Sequence, residues 1–173
     1  MKKESGMSII MLVIITIIIM IAISVVINYA KEMWEETKVQ DLRTNMLLIQ
    51  AEAKKGLEEV CFRTVNLDEK KEEDLKKINE IKKEYLDGII LNEANQDVQN
   101  TVKNIPNITV DNSFYYLEEE DLIEMEINEV DKNQFGYFIV KYDFTNANVE
   151  VINTKGYNGN YTLTQINMDV DGE

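Results

Sequence analysis

The chain has 173 residues and a formal net charge of −14, from 18 Lys and Arg against 32 Asp and Glu. Nucleic acid is bound through basic surface, so this balance argues against a nucleic-acid partner. The lack of histidine excludes histidine-based catalytic triads and zinc sites, and a single cysteine excludes an internal disulfide. We therefore expect no enzymatic activity, no cofactor and no metal site. Cys61 is predicted to be a small buried hydrophobe, with an intermolecular bridge or a lipid site as the alternative.

An uncharged apolar run extends from Met7 to Ile27. As a helix with a rise of about 1.5 Å per residue, this run is about 31 Å long and matches the ~30 Å hydrocarbon thickness of a bilayer. We predict that residues 7–30 are the transmembrane half of a long helix and contact membrane lipid through residues 7–27. A secretory signal peptide is the alternative, with Ala22 and Ser24 as its cleavage signal, although the apolar run continues beyond Ser24.

The charges around this run predict its orientation. Lys2 and Lys3 precede it, and positively charged flanks tend to stay in the cytoplasm. Residues 31–38 carry both signs without a basic excess. We therefore expect a single-pass membrane protein with a cytoplasmic N-terminus and an extracytoplasmic C-terminal part.

Residues 31–62 are predicted to continue the same helix in an amphipathic form. Apolar residues recur there at alternating steps of three and four, as one face of a helix requires. These residues are Val39, Leu42, Met46, Ile49, Ala53, Leu57 and Val60. We expect Leu42, Met46, Ile49 and Leu57 to form the core of a head domain, with an exposed coiled-coil stalk as the alternative. Gly56 is the first turn signal after the apolar run.

Residues 63–104 are predicted to be a helical and loop connection. The stretch LDEKKEEDLKKINEIKKEYLDG combines favourable charge pairs four residues apart with one apolar side. Leu75, Ile78, Ile81 and Tyr85 line that side. The dipeptide Asp87-Gly88 is a turn signal that ends the helix.

Residues 105–173 are predicted to be a β-rich head. Phe138, Val140, Tyr142 and Phe144 alternate with Ile139, Lys141 and Asp143, TNAN makes a turn, and alternation resumes at Val149 and Val151, which is typical of an antiparallel hairpin. A short helix, LEEEDLIEM, precedes the hairpin, and Gly159 makes a further turn before Tyr161, Leu163 and Gln165. The predicted fold class is α+β, with the long helix packed on a small antiparallel sheet.

The N-terminal sequence KKESG followed by MSIIMLVIITIIIMIAISVVI resembles the leader and first half of the stem of a type IV pilin or pseudopilin. The resemblance covers roughly residues 2 to 57. It implies that residues 1–6 are a leader, that a prepilin peptidase cuts after Gly6, and that Met7 carries the new and commonly methylated amine. It also implies that the stem helix packs against other pilin-like subunits and that a small antiparallel sheet covers its second half.

Three positions depart from the family pattern. The first mature residue is Met7 instead of phenylalanine, Asn28 replaces a proline that often kinks the stem, and Met11 replaces the glutamate usual at the fifth mature position. In the family this glutamate is thought to pair with the terminal amine of a neighbouring subunit. Met11 is therefore the filament-contact position at which we expect this chain to differ from a major subunit.

Two functions follow from these observations. The resemblance implies a minor pilin or pseudopilin-like subunit of a type IV pilus, competence or type II secretion-like filament, located at the cell surface or in the filament after processing. The alternative is an uncleaved single-pass anchor that presents an extracytoplasmic accessory or binding module. A mature N-terminus at Met7 would separate the two.

Overall fold

The computed structural model describes residues 9–127 and 135–170. The chain divides between Gln40 and Asp41 into two compact units. We call the second unit, from Asp41 onwards, the head. Gly6 and Met7, at the predicted processing junction, lie outside the described residues. The division falls ten residues later than the boundary between the two predicted halves of the stem helix, at residues 30 and 31.

The described residues form five α-helices, one 3-10 turn and five β-strands. The helices are α1 (Ile9–Thr64), α2 (Glu72–Tyr85), α3 (Gln96–Lys103), α4 (Glu119–Glu124) and α5 (Leu163–Val170), and the 3-10 turn is Leu91–Glu93. The strands are β1 (Ile89–Ile90), β2 (Phe114–Tyr116), β3 (Phe138–Asp143), β4 (Asn148–Tyr157) and β5 (Asn160–Thr162). They pair in sequence order in one open antiparallel sheet. The predicted α+β class is confirmed.

Strands β3 and β4 form the hairpin that the alternation predicts. Their register runs from Phe138 opposite Asn153 to Asp143 opposite Asn148. Because side chains alternate across a strand, Phe138, Val140 and Tyr142 face one side of the sheet and Ile139 faces the other. The hairpin therefore supplies apolar residues to both faces.

The inner face of the sheet packs on the head part of α1. Leu42, Met46, Ile49 and Leu57 are buried there, and the last three have no exposed surface. Each fully buried side chain of this size stabilises the fold by about 1.5 to 3 kcal/mol relative to exposure. The predicted apolar face of the helix is thus the face that the sheet covers.

The outer face of the sheet is covered by α3 and by the 3-10 turn. Ile139 and Ile152 contribute to a second buried cluster on this side, which also contains Phe114 and Tyr116 of β2. Val98 and Val102 of α3 are fully buried in it. The head therefore has a helix on each side of its sheet, whereas the sequence predicted only the inner layer.

Several boundaries differ from the sequence-based expectations. Strand β1 lies within residues 63–104, so the sheet takes one strand from the predicted connection. Helix α1 ends at Thr64 and contains Gly56, which is therefore not a turn. A β-carbon at Gly56 would lie 2.1 Å from the Tyr85 carbonyl oxygen, so this glycine permits close approach of α1 to the end of α2.

The C-terminal segment is another difference. Residues 105–173 are predicted to be a β-rich head, but β5 ends at Thr162 and the helix α5 begins at Leu163. The backbone N–H of Gln165 donates to the Thr162 hydroxyl oxygen, and the side-chain oxygen of Gln165 accepts a hydrogen bond from the backbone N–H of Thr162 at 3.3 Å. This reciprocal pair is a capping box, which favours a helix start over a longer strand.

Candidate functional site

The N-terminal part of α1 is the first candidate site. Residues 14–27 are all exposed, with exposed fractions that reach 66% at Val26. Within the described residues, one helix is long and apolar enough to cross a membrane, and it covers Ile14–Thr64. Burial in hydrocarbon would remove this apolar surface from water.

The polar side chain of Ser24 is accommodated within this apolar surface. Its hydroxyl donates to the Met20 carbonyl oxygen at 2.9 Å. A hydroxyl that bonds within its own helix leaves no unmet donor in a lipid environment. Ser24 is therefore compatible with a membrane span. Its hydrogen bond to Met20 accounts for this serine without a cleavage site.

Met11 lies on α1, two residues after the first described residue, Ile9. Leu42, Met46, Ile49 and Leu57 are brought together in the core on the inner face of the sheet. The predicted site residues are thus divided between the two units, with Met11 in the first and the core residues in the head.

Comparison with known proteins gave no match. No protein-family model, no curated protein and no solved structure is significantly similar to the chain. The structural argument for function therefore depends on the residues themselves.

Two adjoining cavities on the outer face of the sheet are the second candidate site. Their volumes are about 520 and 390 Å³, and Lys141 and Glu150 line both. These two residues are opposite each other on β3 and β4. The Lys141 ammonium lies 5.5 Å from the centroid of the Phe114 ring, which forms part of the larger cavity. In the larger cavity these two residues supply one charge of each sign, beside apolar residues that include Phe114 and Ile152.

Two aspartates border the smaller cavity. Hydrogen bonds from Ser113 hold the pKa of Asp111 below its usual value, and hydrogen bonds from Asn146 do the same for Asp143. Both carboxylates are therefore ionised at neutral pH. Their hydrogen bonds stabilise local turns, because Asp143 accepts from the backbone N–H of Thr145 at 3.0 Å. The hydrogen bonds that stabilise these turns are therefore also the cause of the lowered pKa of each aspartate.

Cys61 is partly buried at the edge of the core. Its thiol is 4.0 Å from the Phe144 carbonyl oxygen. Partial burial raises the pKa of the Cys61 thiol, while the nearby Lys82 ammonium opposes this effect. A thiol with a raised pKa is a weak nucleophile at neutral pH. Within residues 9–127 and 135–170, no group of three Cys, Asp or Glu side chains is arranged to hold a metal ion.

The contact between α4 and the turn after α2 brings together residues that the sequence did not single out as a group. Asp121 accepts hydrogen bonds from the backbone N–H groups of Gly88 and Glu118, at 3.2 and 2.6 Å. Burial raises the pKa of Asp87, and the charge of Asp121 raises it further. The Tyr142 hydroxyl donates to the Asp87 carbonyl oxygen at 3.3 Å. Only the fold brings these residues together, since they are far apart in sequence.

Proposed function

We propose that this chain is a minor pilin or pseudopilin-like structural subunit of a type IV pilus, competence or type II secretion-like filament. In this proposal it is made as a single-pass membrane protein with a cytoplasmic N-terminus and an extracytoplasmic head. A prepilin peptidase cuts after Gly6, and Met7 becomes the first residue. The stem helix then packs against other pilin-like subunits.

The order of surfaces along α1 is the observation that carries this proposal. Residues 14–27 are exposed and apolar, and residues from Leu42 onwards form the buried core of a head with an antiparallel sheet. An ordinary signal anchor needs only the first of these surfaces. The resemblance of the sequence around Gly6 and Met7 to a prepilin leader supplies the processing step.

Met11 supports a position at the tip of the filament. A subunit without the usual glutamate leaves the terminal amine of a neighbouring subunit unpaired, and only the first subunit lacks such a neighbour. Burial of an unpaired ammonium costs several kcal/mol. An α-amino group with a pKa near 8 can instead lose its proton at pH 7 for roughly 1.4 kcal/mol. The tip position is therefore a modest energetic preference and not a steric requirement.

The processing step is tested by intact mass spectrometry of the chain from cells with an active prepilin peptidase. We expect the wild type to lose residues 1–6 and the Gly6→Val variant to keep them. Ala22→Val is the matched control, because it keeps Gly6 while it blocks the alternative cleavage signal at Ala22 and Ser24. A wild-type chain that keeps residues 1–6 would support the uncleaved anchor instead.

The tip position is tested separately by quantitative mass spectrometry of sheared filaments. We expect trace amounts of this chain relative to the main subunit, and loss of filament initiation when the chain is deleted. If this chain were the dominant component, the tip assignment would be wrong even if cleavage after Gly6 occurred.

A further inference from the structure

Two aromatic side chains follow the apolar run on α1. Tyr29 is 65% exposed and Trp34 is 71% exposed, and Met33 beside Trp34 is also exposed. Trp34 is the only tryptophan of the chain. Exposed side chains of this size, directly after an apolar surface, extend that surface into a segment that also carries charges.

Distances along α1 place these rings near the end of the apolar run. Tyr29 and Trp34 lie two and seven residues beyond Ile27. At a rise of about 1.5 Å per residue, their Cα atoms are about 3 and 10 Å past that end. Helical side chains point back toward the N-terminus, so the indole covers helix surface nearer to Ile27 than its own Cα.

The thickness of a bilayer then decides what surrounds the rings. A bilayer is about 40 to 45 Å thick with a hydrocarbon core of about 30 Å, which leaves about 5 to 8 Å of polar region on each side. When the apolar run fills the hydrocarbon, the Tyr29 ring lies within that polar region, and the Trp34 ring, which points back toward the N-terminus, lies at its outer edge. Tyrosine and tryptophan favour this depth because each has an apolar body and a polar tip.

Two lysines near the rings fit the same surroundings. The Lys38 ammonium lies 5.8 Å from the centroid of the Trp34 ring, and Lys31 is exposed between the two aromatic residues. Lysine side chains at such a boundary extend their ammonium groups toward lipid phosphates while their methylene groups cover apolar surface. The Thr37 hydroxyl is satisfied within the helix, since it donates to the Met33 carbonyl oxygen at 2.8 Å.

We propose that Tyr29, Met33 and Trp34 form an interfacial anchor that lies among the lipid headgroups and fixes the depth of the stem helix in the bilayer. The partner of this surface is the headgroup region itself. The inference rests on the membrane span in the proposed function, but it does not depend on cleavage after Gly6.

The single tryptophan makes the anchor directly measurable. The full chain is inserted into phosphatidylcholine vesicles, and Trp34 fluorescence is recorded with lipids brominated near the headgroup or near the end of the acyl chain. We expect the emission to shift to shorter wavelength than that of N-acetyltryptophanamide in buffer. We also expect stronger quenching by bromine near the headgroup than by bromine near the chain end.

A matched control combines Trp34→Phe with Leu47→Trp, which moves the single tryptophan to an exposed position of the head. We expect neither brominated lipid to quench it. Trp34 emission at the aqueous wavelength, stronger quenching by chain-end bromine, or equal quenching of the control would overturn the anchor. In the Gly6→Val chain the Trp34 result should be unchanged, so failure of processing and failure of the anchor are distinguishable.

Discussion

Replacement of Gly56 by alanine should destabilise the head, although the same change stabilises most helices. Gly56 lies inside α1, where alanine would ordinarily gain about 1 kcal/mol of helix stability. Here the added β-carbon would lie 2.1 Å from the Tyr85 carbonyl oxygen and 3.3 Å from the carbonyl carbon. Both atoms belong to the backbone, so no side-chain rotation relieves the clash.

The size of the destabilisation follows from which parts of the head must move to relieve the clash. A contact of 3.4 Å is ordinary, so the end of α2 must retreat from α1 by more than 1 Å. Leu86 is buried and would move with it, and the Arg63 guanidinium would lose its position 4.6 Å from the Tyr85 ring centroid. Overpacking of this kind costs about 1 to 3 kcal/mol. Subtracting the helix-propensity gain of about 1 kcal/mol leaves a net loss of up to about 2 kcal/mol in the free energy of unfolding of Gly56→Ala.

Urea unfolding of a soluble form that begins at Lys31, followed by far-ultraviolet circular dichroism, measures this change. The matched control is Ala51→Gly, at an exposed position of α1, which should cost only the propensity difference of about 1 kcal/mol. A Gly56→Ala head that is about 1 kcal/mol more stable than wild type, as helix propensity alone predicts, would refute the close approach of α1 and α2.

Two further predictions concern the core and the contact between α4 and the turn after α2. Ile49→Ala should lower the free energy of unfolding by about 2 to 5 kcal/mol because Ile49 is fully buried, and Ile49→Asp should leave the head unfolded. Asp87→Asn should stabilise the head at neutral pH. Burial and the charge of Asp121 raise the folded-state pKa of Asp87, so its ionisation destabilises the fold as the pH rises through that pKa.

Both effects have internal controls. Leu48→Ala, next to Ile49 but 44% exposed, should change the melting temperature far less than Ile49→Ala. Equal effects of the two variants would show that the buried face of α1 is not the core in solution. For Asp87→Asn, the gain over wild type should vanish below the ordinary aspartate pKa of about 3.9, where both states of the wild type are protonated. A gain that is independent of pH would contradict the electrostatic cause.

The α+β architecture could be predicted because its main elements leave local signals. The steps of three and four residues from Leu42 to Val60 and the alternation in β3 and β4 depend only on which face of each element is buried. Strands β1 and β2 have two and three residues, too few for a period to be recognised. They exist because neighbouring strands pair with them, as Tyr115 pairs with Val140.

Some missed features did leave a signal. Thr162 and Gln165 have the spacing of a capping box, and their reciprocal hydrogen bonds start α5 within the segment that was predicted to be β-rich. Gly56 has no other turn-forming residue beside it and lies within an apolar helical pattern, which is typical of a glycine required for close packing. Both signals were therefore present in the sequence, although only the folded structure shows that they determine the local conformation.

Other features could not be found because they depend on residues distant in sequence. The Gln50 side-chain amide donates to the Val149 carbonyl oxygen at 3.0 Å, which joins α1 to β4 across the inner face of the sheet. Asp87 acquires its raised pKa from burial and from Asp121, which is supplied by α4. In both cases the residue type permits many partners, and tertiary structure selects one.

The two parts of α1 differ in how sequence determines their surroundings. From Ile14 to Ile27 every residue is exposed, and all but Thr16 and Ser24 are apolar, so composition alone identifies hydrocarbon as the favourable solvent. In the head part, Ala51 is exposed whereas Ala53, two residues later, is fully buried. Alanine thus occurs on both the exposed and the buried face of this part of α1. Whether a residue packs against the sheet depends on its angular position around the helix and not on its type. Composition therefore identifies the membrane-compatible part of α1, while periodicity and the covering sheet define its core face.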